Sequence, residues 1–280
     1  MIRSLLYVPG NTPRFLEKAG QRGADAVIID LEDAVPEALK TEARDGLATS
    51  VPMVAAHGTR VFVRVNMTDR LFDDAAAAVL AGAEALYLPK VNHVDTLHEL
   101  MVHLAPLETD RAPIAFVPLI EDPEGLFEAR AIAKGPRVLA LSSGGEDLAT
   151  SMGAKPTAEV LRMPKLMIHY AAKAAGVLSF GMFRSTVDYT DAGAICDAAA
   201  EARAFGFDGA SCIHPAVVPI LNEGFSPTPE EIDWARRVVA ANASEEAAGR
   251  GAFTLDGKFI DAPIVIRAER LLARFGKTST

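Results

Sequence analysis

The chain has 280 residues, half of them hydrophobic, and its 28 basic and 37 acidic residues give a formal net charge of −9. Length alone allows two domains, but a (β/α)₈ barrel commonly uses about 250 residues as one domain. An acidic chain without a basic block is a poor match for nucleic acid or an anionic membrane. We therefore expect neither of these partners.

The two cysteines, Cys196 and Cys212, lack the spacing of metal ligands, which favours buried, reduced thiols. The N-terminal residues MIRSLLYVPGN enter a strand pattern directly and lack the basic-then-apolar organisation of a signal peptide. No stretch reaches the roughly 18 apolar residues of a membrane span. These features predict a cytoplasmic protein without a membrane-spanning segment.

Short β-rich runs alternate with longer helical patterns along the chain. Most of the runs are continuously apolar, which is typical of parallel strands covered on both faces. The predicted strands are Ser4–Val8, Ala26–Asp30, Val61–Val65, Ala85–Pro89, Ile114–Ile120, Val138–Ser142, Leu178–Phe183 and Gly209–Ile213.

Amphipathic or alanine-rich stretches between these strands predict helices at Pro36–Ala56, Phe72–Gly82, Val94–Leu104, Glu124–Lys134 and Ala192–Phe205. Eight βα units in about 215 residues favour an α/β fold of the (β/α)₈ TIM-barrel type. An open doubly wound sheet is the alternative, but no glycine-rich dinucleotide fingerprint follows the first strand.

The chain continues after the eighth strand. Thr228, followed three residues later by Glu231, predicts the start of a helix that runs to about Ala248. Residues Gly249–Gly251 interrupt the pattern before a final segment with an apolar stretch. We predict a catalytic barrel over residues 1–224 and a C-terminal helical or lid extension over residues 225–280.

Polar residues follow six of the predicted strands, and in a TIM barrel all strand ends meet at one mouth. Carboxylates gathered there repel one another unless a cation neutralises them. Because histidine and cysteine partners are missing, Mg²⁺ or Mn²⁺ is favoured over Zn²⁺. The strand-end segments are Asp30–Asp33, Arg64–Asn66, Pro89–Lys90, Glu121–Asp122, Ser142–Asp147 and His214–Pro215.

Gly144 and Gly145 precede Glu146 at the sixth strand end. Two glycines at a helix start expose backbone N–H groups that can bind a carboxylate. A tight turn without a ligand is the alternative interpretation.

Eight segments, in order, resemble the citrate lyase β-subunit-like and malyl-CoA lyase group of the HpcH/HpaI aldolase superfamily. They are RSLLYVPGN at 3–11, ADAVIIDLEDAV at 24–35, VRVN at 63–66, LPKV at 88–91, PLIED at 118–122, GGEDL at 144–148, GFDGASCIHP at 206–215 and GKFIDAPIVIRAERLL at 257–272. Relatives often have threonine where Asp122 stands and glutamine where Val217 stands, which bears on the substrate.

The resemblance implies a (β/α)₈ barrel that forms homotrimers or multiples of trimers. It implies a Mg²⁺-dependent carbon–carbon lyase that reversibly cleaves a malyl-, methylmalyl- or citramalyl-CoA-like 3-hydroxyacyl-CoA thioester to an acyl-CoA and a 2-oxo acid. Glu121 and Asp147 correspond to the metal ligands, and Arg64 to the arginine that contacts the reacting oxygens. Asp261 corresponds to the acid–base group of the tail, which covers the active site of a neighbouring subunit.

The expected metal-dependent cleavage predicts roles for further residues. We expect Glu32 and Asp33 to hold metal-bound water and to orient Arg64. The expected substrate-binding residues are Gly145 and Glu146 at the oxo acid, Arg14 and Lys18 at the CoA phosphates, and His214 at the wall of the thioester channel.

Each of these residues also has a structural interpretation. Arg64 could form only an ion pair with Glu32 or Asp33, and Asp261 could cap the helix that begins near Pro263. Arg14 and Lys18 could be solvated surface residues, and His214 could be purely structural.

Three other functions stay open. They are a citrate lyase β subunit acting on citryl-acyl-carrier protein, a class II aldolase for free 2-oxo-4-hydroxy diacids, and a non-catalytic binding protein. The aldolase is disfavoured because no histidine stands near Asp30–Asp33, and the binding protein because Arg64, Glu121 and Asp147 are all present.

Overall fold

Eight parallel strands form a ring in the computed structural model, which describes residues 1–184 and 189–275. Each strand pairs with its neighbour in the chain, and the first also pairs with the eighth. The strands are β1 (Ser4–Pro9), β2 (Ala26–Asp30), β3 (Arg60–Arg64), β4 (Ala85–Leu88), β5 (Ala115–Ile120), β6 (Ala140–Ser143), β7 (Leu178–Phe180) and β8 (Ala210–Cys212).

The seventh and eighth strands close the ring. Phe180 and Gly209 form a parallel bridge, and the Gly181 N–H donates to the carbonyl of Gly209 at 2.9 Å. This closure confirms the predicted (β/α)₈ architecture and excludes an open doubly wound sheet.

Helices follow the strands around the barrel, and the described residues contain no helix long and apolar enough to cross a membrane. The α-helices are α1 (Pro13–Ala19), α2 (Lys40–Asp45), α3 (Leu47–Ala55), α4 (Leu71–Ala81), α5 (Asp95–Leu104), α6 (Pro123–Ala133), α7 (Gly145–Ser151), α8 (Ala158–Ala175), α9 (Ala192–Phe205), α10 (Val218–Gly224), α11 (Pro229–Ala247) and α12 (Ala262–Phe275), with 3₁₀ turns at Glu37–Leu39, Ala105–Leu107 and Pro215–Val217.

The predicted single helix over Pro36–Ala56 is wrong. The segment instead forms a 3₁₀ turn followed by α2 and α3, which are separated at Gly46. Glycine is a weak helix former, so the two short helices can follow the curvature of the barrel independently. Helix α8 was not predicted, and most strand ends differ from the predicted bounds by one to three residues.

Alternate residues of each strand point to opposite faces of the sheet. One set fills the barrel interior, including Leu5, Ile28, Phe62, Tyr87 and Val117. The other set packs against the surrounding helices in a larger apolar core. Because the two faces are largely apolar, most polar groups at the mouth come from the strand ends and the loops that follow them.

Residues from Ser226 onward form a second compact unit. Thr228 and Glu231 form a capping box at the start of α11, and a hairpin of β9 (Phe253–Leu255) and β10 (Lys258–Ile260) leads to α12. Residues 276–280 of the predicted extension lie outside the described residues.

The apolar face of α12 packs within this second unit, where Val265 and Ala268 join Ala235 and Val238 of α11. Ile260 completes the cluster and is fully buried. The apolar stretch of the tail therefore has a surface to pack on within its own unit, which α11 supplies.

Candidate active site

A cavity of about 410 Å³ lies at the carboxyl ends of the barrel strands. Its volume is in the usual range for a small-molecule site. The polar residues that line it come from seven of the eight βα units. They include Tyr7, Asp30, Asp33, Arg64, Glu121, Ser142, Ser143, Glu146, Asp147, Lys165, Arg184 and Ser211.

Glu121 and Asp147 face this cavity from the end of β5 and the first turn of α7. Glu121 is buried, and its Oε2 accepts the backbone N–H of Lys90 at 2.9 Å. A Cβ at Gly144 would lie 2.1 Å from Glu121 Oε1, so only glycine fits there. Burial raises the pKa of Glu121 to about 7, and the charge of Asp147 contributes to this increase.

These two carboxylates fit a hard divalent cation. Their electrostatic repulsion is relieved when a cation binds between them. The described residues contain no group of three or more histidine, cysteine, aspartate or glutamate side chains that could hold a metal. Mg²⁺ does not require such a group, because it commonly binds one or two carboxylates and completes its coordination shell with water and substrate oxygens.

Lys90 supports two of the acidic side chains. Its φ of 53° is in the left-handed region, which is unusual for a residue with a side chain. This conformation directs its N–H to Glu121, and its ammonium donates to Glu32 Oε1 at 2.8 Å. Such strain is characteristic of functional sites, where surrounding contacts maintain it.

Arg64 is held by three carboxylates. Its Nε and Nη2 each donate to Asp30 at 2.7 Å, and its Nη1 lies 3.1 Å from Glu32 and 3.2 Å from Asp33. The guanidinium also lies 5.2 Å from the centre of the Tyr7 ring. Burial lowers the pKa of Arg64, but the hydrogen bonds that Arg64 donates to the Asp30 carboxylate outweigh this effect and raise the pKa above its ordinary value.

The predicted ion pairs of Arg64 with Glu32 and Asp33 are thus present, but Asp30 was missed as the main partner. Asp30 and Arg64 are opposite each other in the β2–β3 register and end their respective strands. The sequence places both residues near strand ends, which meet at one edge of a parallel sheet, but only the register of the two strands shows that they pair.

Some of the other predicted residues lie at the cavity, and others do not. Gly145, Glu146 and Asp33 line the cavity, and Glu32 is buried beside them. Arg14 and Lys18 are exposed on α1 and are not among the residues that line the cavity.

His214 lies at the end of β8, outside the set of lining residues. Its Nδ1 accepts the Ala216 N–H at 3.2 Å, and its ring stacks on Tyr189 with centres 4.7 Å apart. These contacts agree with the structural interpretation of this histidine.

Asp261 lies between β10 and α12 in the C-terminal unit. Its backbone carbonyl accepts the Ile264 N–H at 3.0 Å, and its carboxylate forms no hydrogen bond with any described residue. The side-chain helix cap that we considered is therefore not formed in the described part of the chain.

Lys165 is a cavity residue that we did not predict. It occupies the inner face of α8 and is only 4% exposed, and its ammonium donates to the Met182 carbonyl at 2.7 Å. Burial lowers its pKa to about 8. A lysine spaced with Leu161 and Ile168 on an inward face was the available signal.

A family model described as HpcH/HpaI aldolase/citrate lyase matches residues 3–215, which is most of the chain. The chain belongs to the HpcH/HpaI aldolase/citrate lyase family. The match covers every strand of the barrel and every cavity residue contributed by the strand ends through β8.

Two named relatives match nearly the whole chain. The (3S)-malyl-CoA thioesterase of Cereibacter sphaeroides is 36% identical over 97% of this chain and 94% of its own length. The citrate lyase subunit beta of Leuconostoc mesenteroides subsp. cremoris is 31% identical over 96% and 92%. The family and its lyase members confirm the predicted enzyme class, a carbon–carbon lyase.

A solved structure matches the whole fold. It is the CitE protein of Mycobacterium tuberculosis in complex with magnesium, acetoacetate and coenzyme A. Its sequence is 31% identical, its TM-score is 0.80, and the match covers 98% of each chain.

Proposed function

We propose that this protein is a Mg²⁺-dependent lyase that reversibly cleaves a 3-hydroxyacyl-CoA thioester to an acyl-CoA and a 2-oxo acid. The observation that carries the proposal is the pair of Glu121 and Asp147 at the cavity, close enough to interact electrostatically. The magnesium and coenzyme A bound to the similar CitE protein support it. Mn²⁺ is expected to substitute for Mg²⁺, since both prefer oxygen ligands.

Glu121 and Asp147 would hold the ion, which when bound supplies Lewis-acid stabilisation of the carboxylate, hydroxyl and oxo oxygens of the substrate. Cleavage breaks the bond between C2 and C3 of the thioester, while the C3 hydroxyl releases its proton to solvent and becomes the carbonyl of the 2-oxo acid. The electron pair passes to the thioester as an enolate, and C2 must then gain a proton.

Arg64 is placed to stabilise the charge that develops on these oxygens. Because Asp30 holds two of its N–H groups and packing against Tyr7 limits its movement, its position is fixed before substrate arrives. Such preorganisation avoids reorientation of the donor during the reaction. Glu32 and Asp33 orient the third nitrogen and can accept hydrogen bonds from metal-bound water.

Asp261 is our candidate for the group that protonates the enolate, and it removes the same proton in the condensation direction. Its carboxylate is not engaged by other described residues, which leaves it available for this role. We retain Arg14 and Lys18 as candidates for the CoA phosphates, because both are exposed cations near the first strand end. Gly145 and Glu146 remain candidates for contacts with the oxo acid.

The test is a panel of malyl-, β-methylmalyl- and citramalyl-CoA, each with and without Mg²⁺. The proposed lyase forms acyl-CoA and a 2-oxo acid only when the metal is present. The similarity to a malyl-CoA thioesterase makes hydrolysis the second candidate. Free CoA and an intact hydroxy acid would be its products and would contradict the lyase assignment. Activity only with citryl-acyl-carrier protein would instead support the citrate lyase alternative.

Replacement of Arg64 by lysine should lower kcat by about 100-fold or more, the usual loss when an oxyanion donor is removed. Lysine keeps the charge but lacks the planar fork that contacts two oxygens at once. Steady-state kinetics of the variant measure the loss. Arg60→Lys is the matched control, because Arg60 lies on the same strand but pairs with Glu84 in a more exposed position. A near-normal kcat for Arg64→Lys would reduce Arg64 to a structural ion-pair partner.

A further inference from the structure

Two hydroxyl groups form a hydrogen-bonded pair where the barrel interior meets the cavity. Tyr87 of β4 belongs to the cluster that fills the barrel and is fully buried. Its hydroxyl donates to Ser142 Oγ at 2.7 Å. Ser142 of β6 is only 4% exposed and lines the cavity. The pair is therefore a buried polar contact within an otherwise apolar core, and such contacts are more informative than buried apolar ones.

The hydrogen bond from Tyr87 determines where the Ser142 proton points. Burial raises the pKa of Tyr87, so the phenol keeps its proton. Because Tyr87 is fully buried and does not line the cavity, it must donate to a protein acceptor, and Ser142 is that acceptor. A serine hydroxyl has one donor of its own, which cannot point back along the bond from Tyr87. Within residues 1–184 and 189–275, no group accepts this Ser142 O–H.

The Ser142 hydroxyl lies close to the groups expected to act on the substrate. The charges of Glu121 and Arg64 both act on the Tyr87 hydroxyl, which is 2.7 Å from Ser142 Oγ. In the β5–β6 register Ser142 is opposite Leu119, which precedes Glu121 by two residues. All three polar groups that face the cavity here, Ser142, Arg64 and Glu121, can therefore reach one bound molecule.

We propose that Ser142 is a further catalytic residue whose hydroxyl donates a hydrogen bond to the C3 oxygen of the thioester, and that Tyr87 is the positioning residue that directs this O–H into the cavity. The inference rests on the function proposed above. The C3 oxygen is among the substrate oxygens expected next to Glu121 and Asp147. It carries negative charge after it loses its proton and before it becomes the carbonyl of the 2-oxo acid. A donor that is already oriented stabilises this charge, and in the condensation direction it polarises the carbonyl that the enolate attacks.

Steady-state kinetics of Ser142→Ala, with a thioester that the wild type cleaves, test this role. Loss of a hydrogen bond to a charged oxygen predicts a kcat that is about 10- to 100-fold lower. KM should stay within about threefold of the wild type, because the bond strengthens only as the charge develops. The Mg²⁺ affinity, measured by calorimetric titration, should not change, since Glu121 and Asp147 are both retained.

Two further variants separate catalysis from packing. Ser142→Ala leaves the buried Tyr87 hydroxyl without its acceptor and should lower Tm, whereas the double variant Tyr87→Phe/Ser142→Ala removes both hydroxyls and should recover most of that Tm. The kcat of the double variant should stay as low as that of Ser142→Ala, because Tyr87 acts only through Ser142. Tyr87→Phe alone keeps the donor but not its direction, so it should lower kcat by less than Ser142→Ala does.

Ser179→Ala is the matched control. Ser179 is a buried serine of the neighbouring strand β7 and does not line the cavity. This variant should keep the kcat and KM of the wild type.

A kcat for Ser142→Ala within about twofold of the wild type would overturn the role of Ser142 and leave the Mg²⁺-dependent function standing. Recovery of kcat together with Tm in the double variant would also overturn it, because the two hydroxyls would then serve only the packing of the barrel. A loss confined to KM or to Mg²⁺ affinity would equally contradict a bond that forms in the transition state. If the wild type cleaves none of the thioesters with Mg²⁺, the proposed function and the role of Ser142 fail together.

Discussion

Replacement of either Glu121 or Asp147 by alanine should abolish metal-dependent turnover and leave the fold intact. Each variant removes one of the two carboxylates expected to hold the ion, so Mg²⁺ affinity should fall by about 100-fold or more. Loss of Lewis-acid stabilisation worth several kcal/mol corresponds to a decrease in kcat/KM of about 1,000-fold or more.

The fold should be retained because the buried, negatively charged Glu121 carboxylate destabilises the folded protein. Its pKa of about 7 shows that its charged form is disfavoured where it stands. Glu121→Gln is a more conservative variant, since its amide oxygen can still accept the Lys90 N–H. We expect unchanged or higher Tm values in the absence of metal for this variant.

Asp122 offers a control one residue from Glu121. Its side chain accepts the Gly125 N–H at 2.8 Å and caps α6, so it is engaged in a structural contact. Asp122→Asn removes the charge but keeps the cap, since asparagine is an equally good N-cap residue. It should bind Mg²⁺ normally in calorimetric titrations. Unchanged metal affinity in both the Glu121→Ala and Asp147→Ala variants would refute the metal site.

The barrel could be predicted from the sequence because eight apolar runs alternate with helical patterns, and a parallel sheet leaves this strong periodic signal. Helix α8 was missed although it is 18 residues long. Pro164 lies within it, and Lys165 and His169 occupy inward-facing positions. These residues weaken the apolar stripe by which a buried helix is recognised.

The positions of Glu121 and Asp33 at the cavity could be predicted, because each acid follows the end of one predicted strand. The pairing of Arg64 with Asp30 depends on the register of two strands that are 34 residues apart, and no local pattern encodes it. The role of Lys90 depends on a backbone angle of 53°, which residue type does not indicate because glycine is the usual choice there. Register and backbone strain therefore limited the sequence-based prediction more than residue chemistry did.

Asp261 belongs to the C-terminal unit, whereas Arg64 belongs to the barrel. Helix α12 buries its apolar face against α11, so Asp261 is carried by a folded unit with its own small core. Such a unit can serve a barrel of another chain without losing its internal packing. The resemblance to the citrate lyase β-like group favours this exchange, and we propose that the protein is a homotrimer or a multiple of trimers.

Mixing inactive Asp261→Asn protein with inactive Arg64→Ala protein should restore activity if Asp261 acts on a neighbouring subunit. In randomly mixed rings, about a quarter of the sites combine an intact Arg64 from one chain with an intact Asp261 from the next. If Asp261 acts within its own chain, every site in the mixture lacks one of the two groups and stays inactive. The variants are exchanged under mild denaturation, mixed oligomers are verified by native mass spectrometry with one isotope-labelled partner, and the activity is compared with each variant treated alone. Mixed oligomers that remain inactive would contradict the shared site, whereas a return to about a quarter of wild-type turnover would establish that the active site needs two subunits.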